Sequence, residues 1–332
     1  MSRFGKAVWS YPSIDFKKGE DSVRKMCKRL SDGGFNLIIP VVKDELCLFS
    51  YPTKKGKTHP DLQGWDPLRT LVKEAHELNL EVHPWICVFL EGYTGPQNSF
   101  LLGQNPDLVA LDKEDKKLTE YVFADPAKDE VQDYEFSLYE EVMDGYEVDG
   151  VHMDYIRYRD DTICFCNHCK EEFARYCIDV YADPAKISYR DQAWSRWIEW
   201  RADNITKFVK RLSDEAKNRG LEVSAAVFSN YPDSISRIGQ DWVLWAEKGY
   251  VDFLFPMTYT NNVRLVTAAT RNHVAQVKEN CPIWEGLAPW LPLTTQQLTE
   301  EVKAALSEGA RGIVLFCYHT VKDSDIEALK KI

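Results

Sequence analysis

The residues with the clearest chemical potential lie in an apolar stretch that runs from Val148 to Tyr158. It reads as a short buried strand, and Asp154 stands where the apolar character stops. Because alternate residues of a strand share a face, Gly150, His152 and Asp154 should point together, with the imidazole one layer beneath the carboxylate. A carboxylate in that place can act as a nucleophile or a base. The structural alternative is that Asp154 caps the following turn and that His152 is a core histidine.

Aromatic and hydrogen-bonding side chains follow the other predicted strands. Flat apolar rings beside carboxylates and amides suit a sugar, because its faces are apolar and its rim carries hydroxyl groups. A phosphorylated ligand would require a Gly-rich loop or an Arg/Lys cluster, and the sequence shows neither. We therefore expect a carbohydrate substrate. The expected sugar-binding residues are His83, Trp85, His152, Arg157, Tyr259, Trp290 and Tyr318.

Cleavage of a glycosidic bond requires two carboxyl groups, and Asp154 supplies only the first. Glu285 is the leading general-acid candidate, because an unpartnered carboxylate in its apolar strand would be costly; the alternative is a structural pair with an Arg or His. Asp241 is the next candidate, and its alternative role is to cap the helix that it begins. Glu91, Asp125 and Asp233 are further acidic residues after predicted strands.

Strands and helices alternate along the whole chain, which predicts a parallel sheet. The expected strands cover residues 4–10, 37–42, 81–89, 148–154, 221–228, 251–259, 283–288 and 312–318. Eight strand–helix pairs predict an α/β fold, a single (β/α)8 TIM barrel over residues 1–332, with enlarged loops after strands three and four. The loop after strand three, about residues 90–127, is expected to lack regular structure. In this fold the catalytic groups lie at the carboxyl ends of the strands.

Composition and charge exclude several classes of protein. The formal net charge of -11 argues against a nucleic-acid partner, whose phosphates need a basic surface. No apolar run approaches the roughly 20 residues that span a bilayer, and the first residues do not resemble a signal peptide. We expect a cytoplasmic protein in the form given, or an exported one if a leader has been removed. Nine cysteines, an odd number, fit a reducing compartment. The sequence does not indicate an oligomeric state.

Three of these cysteines, Cys164, Cys166 and Cys169, lie in an insert at about residues 160–180. Closely spaced thiols suit tetrahedral zinc, whose structural sites are closed by four Cys or His ligands. The fourth ligand is expected to be Cys177, His168 or Cys87, and the alternative is reduced thiols without metal. Zinc here would hold the loop that bears Arg157 and have a structural role. No cofactor is expected for catalysis.

A series of motifs along the chain resembles the glycosyl-hydrolase-like barrels related to family 10-like bacterial proteins. The matching segments are Trp65–Leu68, Glu74–His76, Leu80–Trp85, Asp125–Ala127 with Glu130–Val131, Asp149–Tyr158, Gly239–Trp242 with Trp245, and Val251–Phe253 with Pro256–Tyr259. The resemblance covers essentially the whole chain. It implies a barrel that acts on glycans, in some relatives peptidoglycan-type chains, with Asp154 where α-galactosidase-like and α-amylase-like barrels keep their nucleophile. Many relatives have a second acidic residue directly after that aspartate, where this chain has Tyr155.

The combined hypothesis is a glycoside hydrolase acting on an oligo- or polysaccharide, with Asp154 as nucleophile or base and Glu285 as general acid. A metal-dependent hydrolase on the same fold would instead use His83, His152, Asp154 and His319. A catalytically silent glycan-binding barrel is the remaining alternative, since the second carboxyl group is not evident from the sequence.

Overall fold

The computed structural model describes residues 4–177 and 183–332. Residues 178–180, which end the predicted cysteine insert, and the first three residues of the predicted barrel lie outside the described residues. Eight parallel strands form a closed barrel, because β1 pairs with both β2 and β8. The strands are β1 Gly5–Ser10, β2 Leu37–Lys43, β3 in two segments, Glu81–Val82 and Trp85–Cys87, β4 Gly150–Asp154, β5 Glu222–Phe228, β6 Phe253–Met257, β7 Trp284–Leu287 and β8 Gly312–Leu315. The predicted TIM barrel is confirmed.

One outer helix follows each strand before the next strand begins. These helices are α1 Glu20–Asp32, α2 Pro67–His76, α3 Asp129–Gly145, α4 Ala193–Asn218, α5 Trp242–Glu247, α6 Val263–Val277, α7 Thr295–Ser307 and α8 Asp323–Leu329. Local sequence explains their starts: the Asp66 carboxylate accepts a hydrogen bond from the Arg69 N–H ahead of Pro67, and Thr294 forms a capping box with Gln297. None of the helices within the described residues is long and apolar enough to cross a membrane.

The loops at the carboxyl ends carry additional short elements. They contain the helices Pro12–Asp15, Phe100–Gln104, Asn167–Tyr176 and Asp233–Ile238, the 3-10 turns Pro60–Leu62, Pro106–Leu108 and Tyr318–Thr320, and the two-residue strands Leu48–Phe49 and Lys57–Thr58. The expectation that the loop after β3 lacks regular structure was wrong. Antiparallel bridges join Leu90 to Phe123 and Val109 to Ala124, so this loop folds back on itself.

The barrel interior is filled with aromatic and imidazole rings. The Trp9 indole N–H donates to His152 Nε2 at 3.1 Å, so this nitrogen is unprotonated, and Nδ1–H then donates to the Ser224 hydroxyl at 2.9 Å. The Phe255 ring stacks on the His152 ring at 5.3 Å. Gly150 lies deeper on the same face, where a Cβ would stand 2.5 Å from His83 Nε2. The face shared by Gly150, His152 and Asp154 is therefore the inner face of the barrel, with Asp154 at its carboxyl rim.

A buried charge cluster fixes the enlarged loop after β3. Lys43, the last residue of β2, donates from Nζ to Glu91 Oε1 at 2.6 Å and to Glu135 Oε1 on α3 at 2.5 Å. All three side chains are fully buried, and the Ser99 hydroxyl also donates to Glu91. Such a cluster is stable only while every partner is present, because each lone charge would be costly to bury. Glu91 is therefore committed to this cluster.

Candidate active site

A cavity of about 510 Å³ opens at the carboxyl end of the barrel, between the loops that follow β1, β2, β7 and β8. This is the end at which barrels of this fold carry their active sites. Its lining mixes carboxyl, imidazole and aromatic groups. They include Tyr11, Asp44, Glu45, His59, Asp61, Trp290, Phe316 and His319.

Asp154 ends β4 at the carboxyl rim and is half-buried; it does not line the cavity itself, but its charge acts on the cavity residue Tyr11. Its Oδ1 accepts a hydrogen bond from the Tyr155 N–H at 2.6 Å, and Tyr155 holds the left-handed backbone that this turn requires, with φ of 50°. Burial raises the pKa of Asp154 to about 6; the negative charge of Glu45 also raises it, whereas the Tyr155 N–H and the Arg157 cation lower it. Asp154 is thus mainly ionised at neutral pH.

Glu45 is the second carboxyl group at the rim, and the sequence analysis missed it. It follows β2 in a turn held by Asp44, whose Oδ1 accepts from the N–H groups of Leu46 and Leu48, each at 2.9 Å. The Tyr93 N–H donates to the Glu45 carbonyl oxygen at 2.7 Å. Glu45 lines the cavity, and its buried Oε2 has no hydrogen-bond partner among the described residues. That oxygen has almost no contact with solvent, so it would reach a ligand only after its side chain rotates towards the cavity.

Electrostatics connects Glu45 with Asp154. Burial raises the pKa of Glu45, while hydrogen bonding from the Tyr11 hydroxyl lowers it. Burial, Glu45 and Asp154 all raise the pKa of Tyr11, so its hydroxyl keeps its proton and acts as a donor. The pKa of the Cys87 thiol is raised by burial and by the charges of Asp154, Glu45 and Asp44. The rim thus gathers several acidic groups in one poorly solvated place, as active sites do.

Asp44 belongs to this acidic rim as well. Its side chain is 8% exposed, and burial raises its pKa to about 7, against the two backbone N–H groups that favour its ionised form. Those two hydrogen bonds occupy one of its oxygens. We therefore regard Asp44 as the residue that shapes the turn presenting Glu45.

Aromatic rings form the wall of the site. The Tyr259 ring stacks on Phe316 at 5.6 Å and meets Trp290 edge-on at 6.5 Å. Trp290 is 51% exposed, which leaves a ring face available to a ligand. The Trp85 ring lies beneath, almost fully buried, with its edge against Tyr11 at 5.4 Å. Of the predicted sugar-binding residues, Tyr259 and Trp290 therefore lie in the wall, and Trp85 supports it.

Arg157 is buried behind Asp154 instead of facing the cavity. Its guanidinium lies over the rings of Tyr155 and Phe228, at 4.9 Å from each centroid, and over Phe123 at 5.3 Å. It donates to the carbonyl oxygens of Tyr158 and Arg159 and to the Tyr121 hydroxyl. Arg157 therefore positions the β4 rim and lowers the pKa of Asp154; its two terminal nitrogens donate to protein groups, whereas its buried Nε has no hydrogen-bond partner among the described residues.

Glu285 lies on the opposite side of its strand from the barrel interior. The neighbouring Trp284 ring packs against Phe253 and Phe255, so alternation turns Glu285 towards the helices. It is fully buried, with Oε2 at 3.1 Å from His273 Nδ1 on α6 and Oε1 bonded to the Thr258 hydroxyl. The expectation that Glu285 is the general acid is not met, because its carboxyl group is enclosed with His273 away from the rim.

Asp241 is the N-cap of α5. Its Oδ1 accepts from the Leu244 N–H at 3.1 Å and from the Tyr231 hydroxyl at 3.1 Å. Burial raises its pKa, and the charges that shift the pKa of Asp154 are those of Arg157 and Glu45. The structure thus gives Asp241 the capping role and does not pair it with Asp154. Asp233 begins a short helix and pairs with Arg237.

Three predicted sugar-binding residues lie elsewhere. His152 is fully buried in the middle of the barrel with both ring nitrogens bonded, and burial lowers its pKa well below the usual range. His83 lies lower still, with Nε2 at 3.6 Å from Glu222 Oε2, and burial lowers its pKa to about 4. Tyr318 packs under the Arg29 guanidinium at 5.2 Å, in an outer groove.

Two histidines of the metal-dependent alternative are neighbours, since His83 Nδ1 and His152 Nδ1 lie 3.4 and 2.9 Å from the same Ser224 Oγ, but the third is distant from them. His83 and His152 occupy two different levels of the interior, and His319 lies at the rim, 3.3 Å from Asp15. Only His319 of these three lines the cavity. The geometry thus removes the set of His83, His152, Asp154 and His319 as a single metal site.

The predicted cysteine trio is brought together by the fold, but its fourth partner is Asp125. Cys164, Cys166, Cys169 and Asp125 are all buried, and their ligand atoms lie within 4.8 Å of one another. None of the three expected fourth ligands belongs to this group: His168 contacts the Ala127 carbonyl at 3.2 Å, Cys87 lies near Asp154, and Cys177 caps the end of the helix Asn167–Tyr176. All nine cysteines are free thiols that form no disulfide bond.

A (β/α)8 barrel with carboxyl groups and an aromatic wall at its carboxyl rim is the architecture of glycoside-hydrolase-type proteins. The family model described as "Glycosyl hydrolase-like 10" matches residues 6–290, so the chain belongs to this family. The resemblance drawn from the motifs is confirmed.

Individual relatives agree with this assignment. The chain is 25% identical over 303 residues to "Glycosyl hydrolase YngK" of Bacillus subtilis, covering 76% of this chain and 54% of the relative. It is 28% identical over 207 residues to an "S-layer-related protein" of Niallia circulans, covering 54% of this chain and 13% of the relative. The chain thus spans about half or less of the length of these relatives. The glycoside hydrolase domain of PgaB (BpsB) from Bordetella bronchiseptica has the same fold, with a TM-score of 0.77, 15% identity and 98% coverage of both chains.

Proposed function

We propose that this protein is a glycoside hydrolase acting on an oligo- or polysaccharide, with Asp154 and Glu45 as its pair of carboxyl groups. The observation that carries the proposal is the position of the two groups at the carboxyl rim: Glu45 lines the cavity, Asp154 ends β4, and the charge of Glu45 contributes to the raised pKa of Asp154. Membership of the glycosyl-hydrolase-like family supports it independently.

Asp154 is the nucleophile or the base of this proposal. The Tyr155 N–H and the Arg157 cation favour its ionised form, and its pKa of about 6 leaves it negative at neutral pH. We assign Glu45 as the general acid, because burial raises its pKa and so favours its protonated form, against the hydrogen bonds from its own backbone N–H and from the Tyr11 hydroxyl. A rotation of its side chain towards the cavity would bring the partnerless Oε2 to the leaving-group oxygen.

The remaining cavity residues would bind the sugar. The exposed face of Trp290 and the Tyr259–Phe316 stack offer apolar surfaces to sugar faces. The Tyr11 hydroxyl and the His319 imidazole offer hydrogen bonds to sugar hydroxyl groups. No cofactor takes part in this mechanism, since two carboxyl groups suffice for glycosidic cleavage.

The experiment is hydrolysis of a panel of aryl glycosides and polysaccharide fragments by the wild type and by two isosteric variants, Asp154→Asn and Glu45→Gln. Each substitution should lower kcat by about 10²–10⁴-fold, the usual contribution of a catalytic acid or base. Asp241→Asn is the matched control, because it removes a half-buried carboxylate that caps a helix; Asn caps about as well as Asp, so stability should change little and kcat should stay within about two-fold.

The stereochemistry of the product, read by NMR, separates the two roles of Asp154. Retention assigns a nucleophile and inversion assigns a base. Cleavage that survives Asp154→Asn or Glu45→Gln removes that residue from the mechanism. If no variant and no wild-type preparation cleaves the panel, while the wild type binds oligosaccharides, the protein is a catalytically silent glycan-binding barrel.

A further inference from the structure

Three thiols and one carboxylate meet between the two enlarged loops, away from the cavity. Asp125 comes from the loop after β3, and Cys164, Cys166 and Cys169 come from the insert after β4. Asp125 Oδ2 lies 3.2 Å from Cys166 Sγ and 3.1 Å from Cys169 Sγ. All four side chains are almost completely shielded from water. Three buried sulfur donors and one buried carboxylate oxygen form a ligand set that is typical of a metal site.

We propose that these four residues bind one zinc ion in a tetrahedral Cys3Asp site. Zinc–sulfur bonds of about 2.3 Å and zinc–oxygen bonds of about 2.0 Å place tetrahedral ligand atoms roughly 3.5–3.8 Å apart. The observed ligand atoms all lie within 4.8 Å of one another, with the two carboxylate contacts at 3.1 and 3.2 Å. Zinc thus fits among them after changes of at most about 1 Å in the separations of the ligand atoms. With four protein ligands the site is closed, which makes the zinc structural.

Backbone donors around the sulfur atoms support thiolate ligands. The Leu111 N–H points at Cys164 Sγ at 3.3 Å, and the Cys169 N–H points at Cys166 Sγ at 3.5 Å. Hydrogen bonds from an outer shell orient metal ligands and stabilise their negative charge. The Leu111 contact also ties a second point of the β3 loop to the same site.

Arg201 supplies a positive charge next to this group. It lies on α4, is 1% exposed, and donates to the carbonyl oxygens of Ser236 and Arg237. Within the described part of the chain, no carboxylate lies at ion-pair distance from Arg201, although a lone buried cation is costly. The charges that act on it are those of Tyr158, Asp161 and Asp160 and, as the smallest contribution, that of Cys169. Three thiolates, one carboxylate and Zn²⁺ sum to a charge of about -2, and the single positive charge of Arg201 would offset about half of it.

The zinc would hold the two loops that form the wall behind Asp154. Asp125 directly follows the segment with Tyr121 and Phe123, whose rings pack against Arg157. Arg157 in turn lowers the pKa of Asp154. Metal at this site therefore fixes the β3 loop against the β4 insert and holds Arg157 in place.

The test is the metal content and coordination of the full chain, purified under reducing conditions without chelator. Elemental mass spectrometry should find about one zinc per chain in the wild-type protein. X-ray absorption should show three sulfur ligands and one oxygen. Replacement by Co²⁺ should give the intense visible bands of a tetrahedral site with thiolate charge transfer. These measurements need no variant and no activity.

Variants identify the fourth ligand. Asp125→Asn should weaken zinc binding more than about 100-fold, the upper range for losing a residue that only supports a ligand. Asp125→His offers zinc another ligand and should restore stoichiometric binding. Cys177→Ser is the control, because Cys177 is a buried cysteine of the same insert that contacts none of the four residues, and it should retain full zinc.

Some outcomes would overturn the site. Less than about 0.1 zinc per chain and no uptake of added Zn²⁺ or Co²⁺ would show reduced thiols without metal. A four-sulfur signal in the wild type that disappears in Cys177→Ser would show that the fourth ligand is Cys177 and not Asp125. Retained zinc with an unchanged spectrum in Asp125→Asn would remove Asp125 as a ligand.

Discussion

Glu285 offers a direct test of how this barrel uses its buried carboxyl groups. The structure encloses it with His273 and Thr258, whereas its place in an apolar strand first indicated a general acid. His273 Nε2 faces the Ser229 carbonyl oxygen at 2.7 Å, so this nitrogen carries a proton and Nδ1 faces Glu285 at 3.1 Å. The isosteric substitution Glu285→Gln and the truncating substitution Glu285→Ala therefore have different expected effects.

Glu285→Gln can reproduce both contacts. Its carbonyl oxygen accepts from the Thr258 hydroxyl and its amide N–H donates to His273 Nδ1, so only the charge assistance is lost, at about 1 kcal/mol. Glu285→Ala leaves His273 Nδ1 without a partner in a fully buried place and removes one of the two partners of the Thr258 hydroxyl, which keeps Ser229 Oγ at 3.1 Å; the cost should be about 3–5 kcal/mol. At roughly 2 °C per kcal/mol for a chain of this size, the alanine variant should lower Tm by roughly 6–10 °C.

The assay combines thermal unfolding with kcat on the best glycoside substrate of the wild type. Both variants should keep kcat per folded molecule within about two-fold, because Glu285 does not reach the rim. A loss of more than about 100-fold in kcat for Glu285→Gln, at unchanged Tm, would refute this reasoning and return Glu285 to the mechanism. A Tm shift below roughly 2 °C for Glu285→Ala would refute the structural pair.

Three further predictions concern the β4 rim and the core beneath it. Asp154→Asn should raise the free energy of unfolding at pH 8 by about 1–3 kcal/mol. The reason is that the folded-state pKa of about 6 exceeds the ordinary value, so ionisation of Asp154 destabilises the folded wild type as pH rises. In urea titrations the difference between the variant and the wild type should vanish below about pH 4. Arg157→Gln removes a charge that lowers the pKa of Asp154, so the acid limb of the pH profile of kcat/KM should move to higher pH. Arg159→Gln is the control. An unmoved acid limb in Arg157→Gln would contradict the effect of Arg157 on the pKa of Asp154. Trp9→Phe removes the donor to His152 Nε2 and should lower stability by about 1–3 kcal/mol in urea, whereas an unchanged midpoint would mean that the bond contributes nothing.

The barrel itself was predictable from local sequence. Apolar runs such as Leu37–Lys43 mark strands buried on both faces, and Pro67 after Asp66 marks a helix start. Eight repeats of this alternation leave few alternatives to a closed parallel barrel. The inward face of Gly150, His152 and Asp154 followed from the strand period alone, and the described geometry of β4 agrees with it.

The partners of the chemical groups were not predictable in the same way. Glu285 and Asp241 stood where a local pattern allowed either a catalytic or a structural role, and only contacts with His273 and Leu244 decided between them. Glu45 could have been found by the rule that selected Asp154, since it follows β2 directly. No rule in the sequence indicates which strand ends face each other.

What the sequence determined by itself is therefore each residue's element, face and height in the barrel, because these depend on spacing between chain neighbours. Tertiary structure decided the pairs. Asp125 meets Cys166 across 41 residues of chain, and Glu45 acts on Asp154 from another strand. Such contacts arise when barrel closure brings distant loops to one rim, and the pKa values and metal-ligand sets follow from that proximity and the accompanying loss of water.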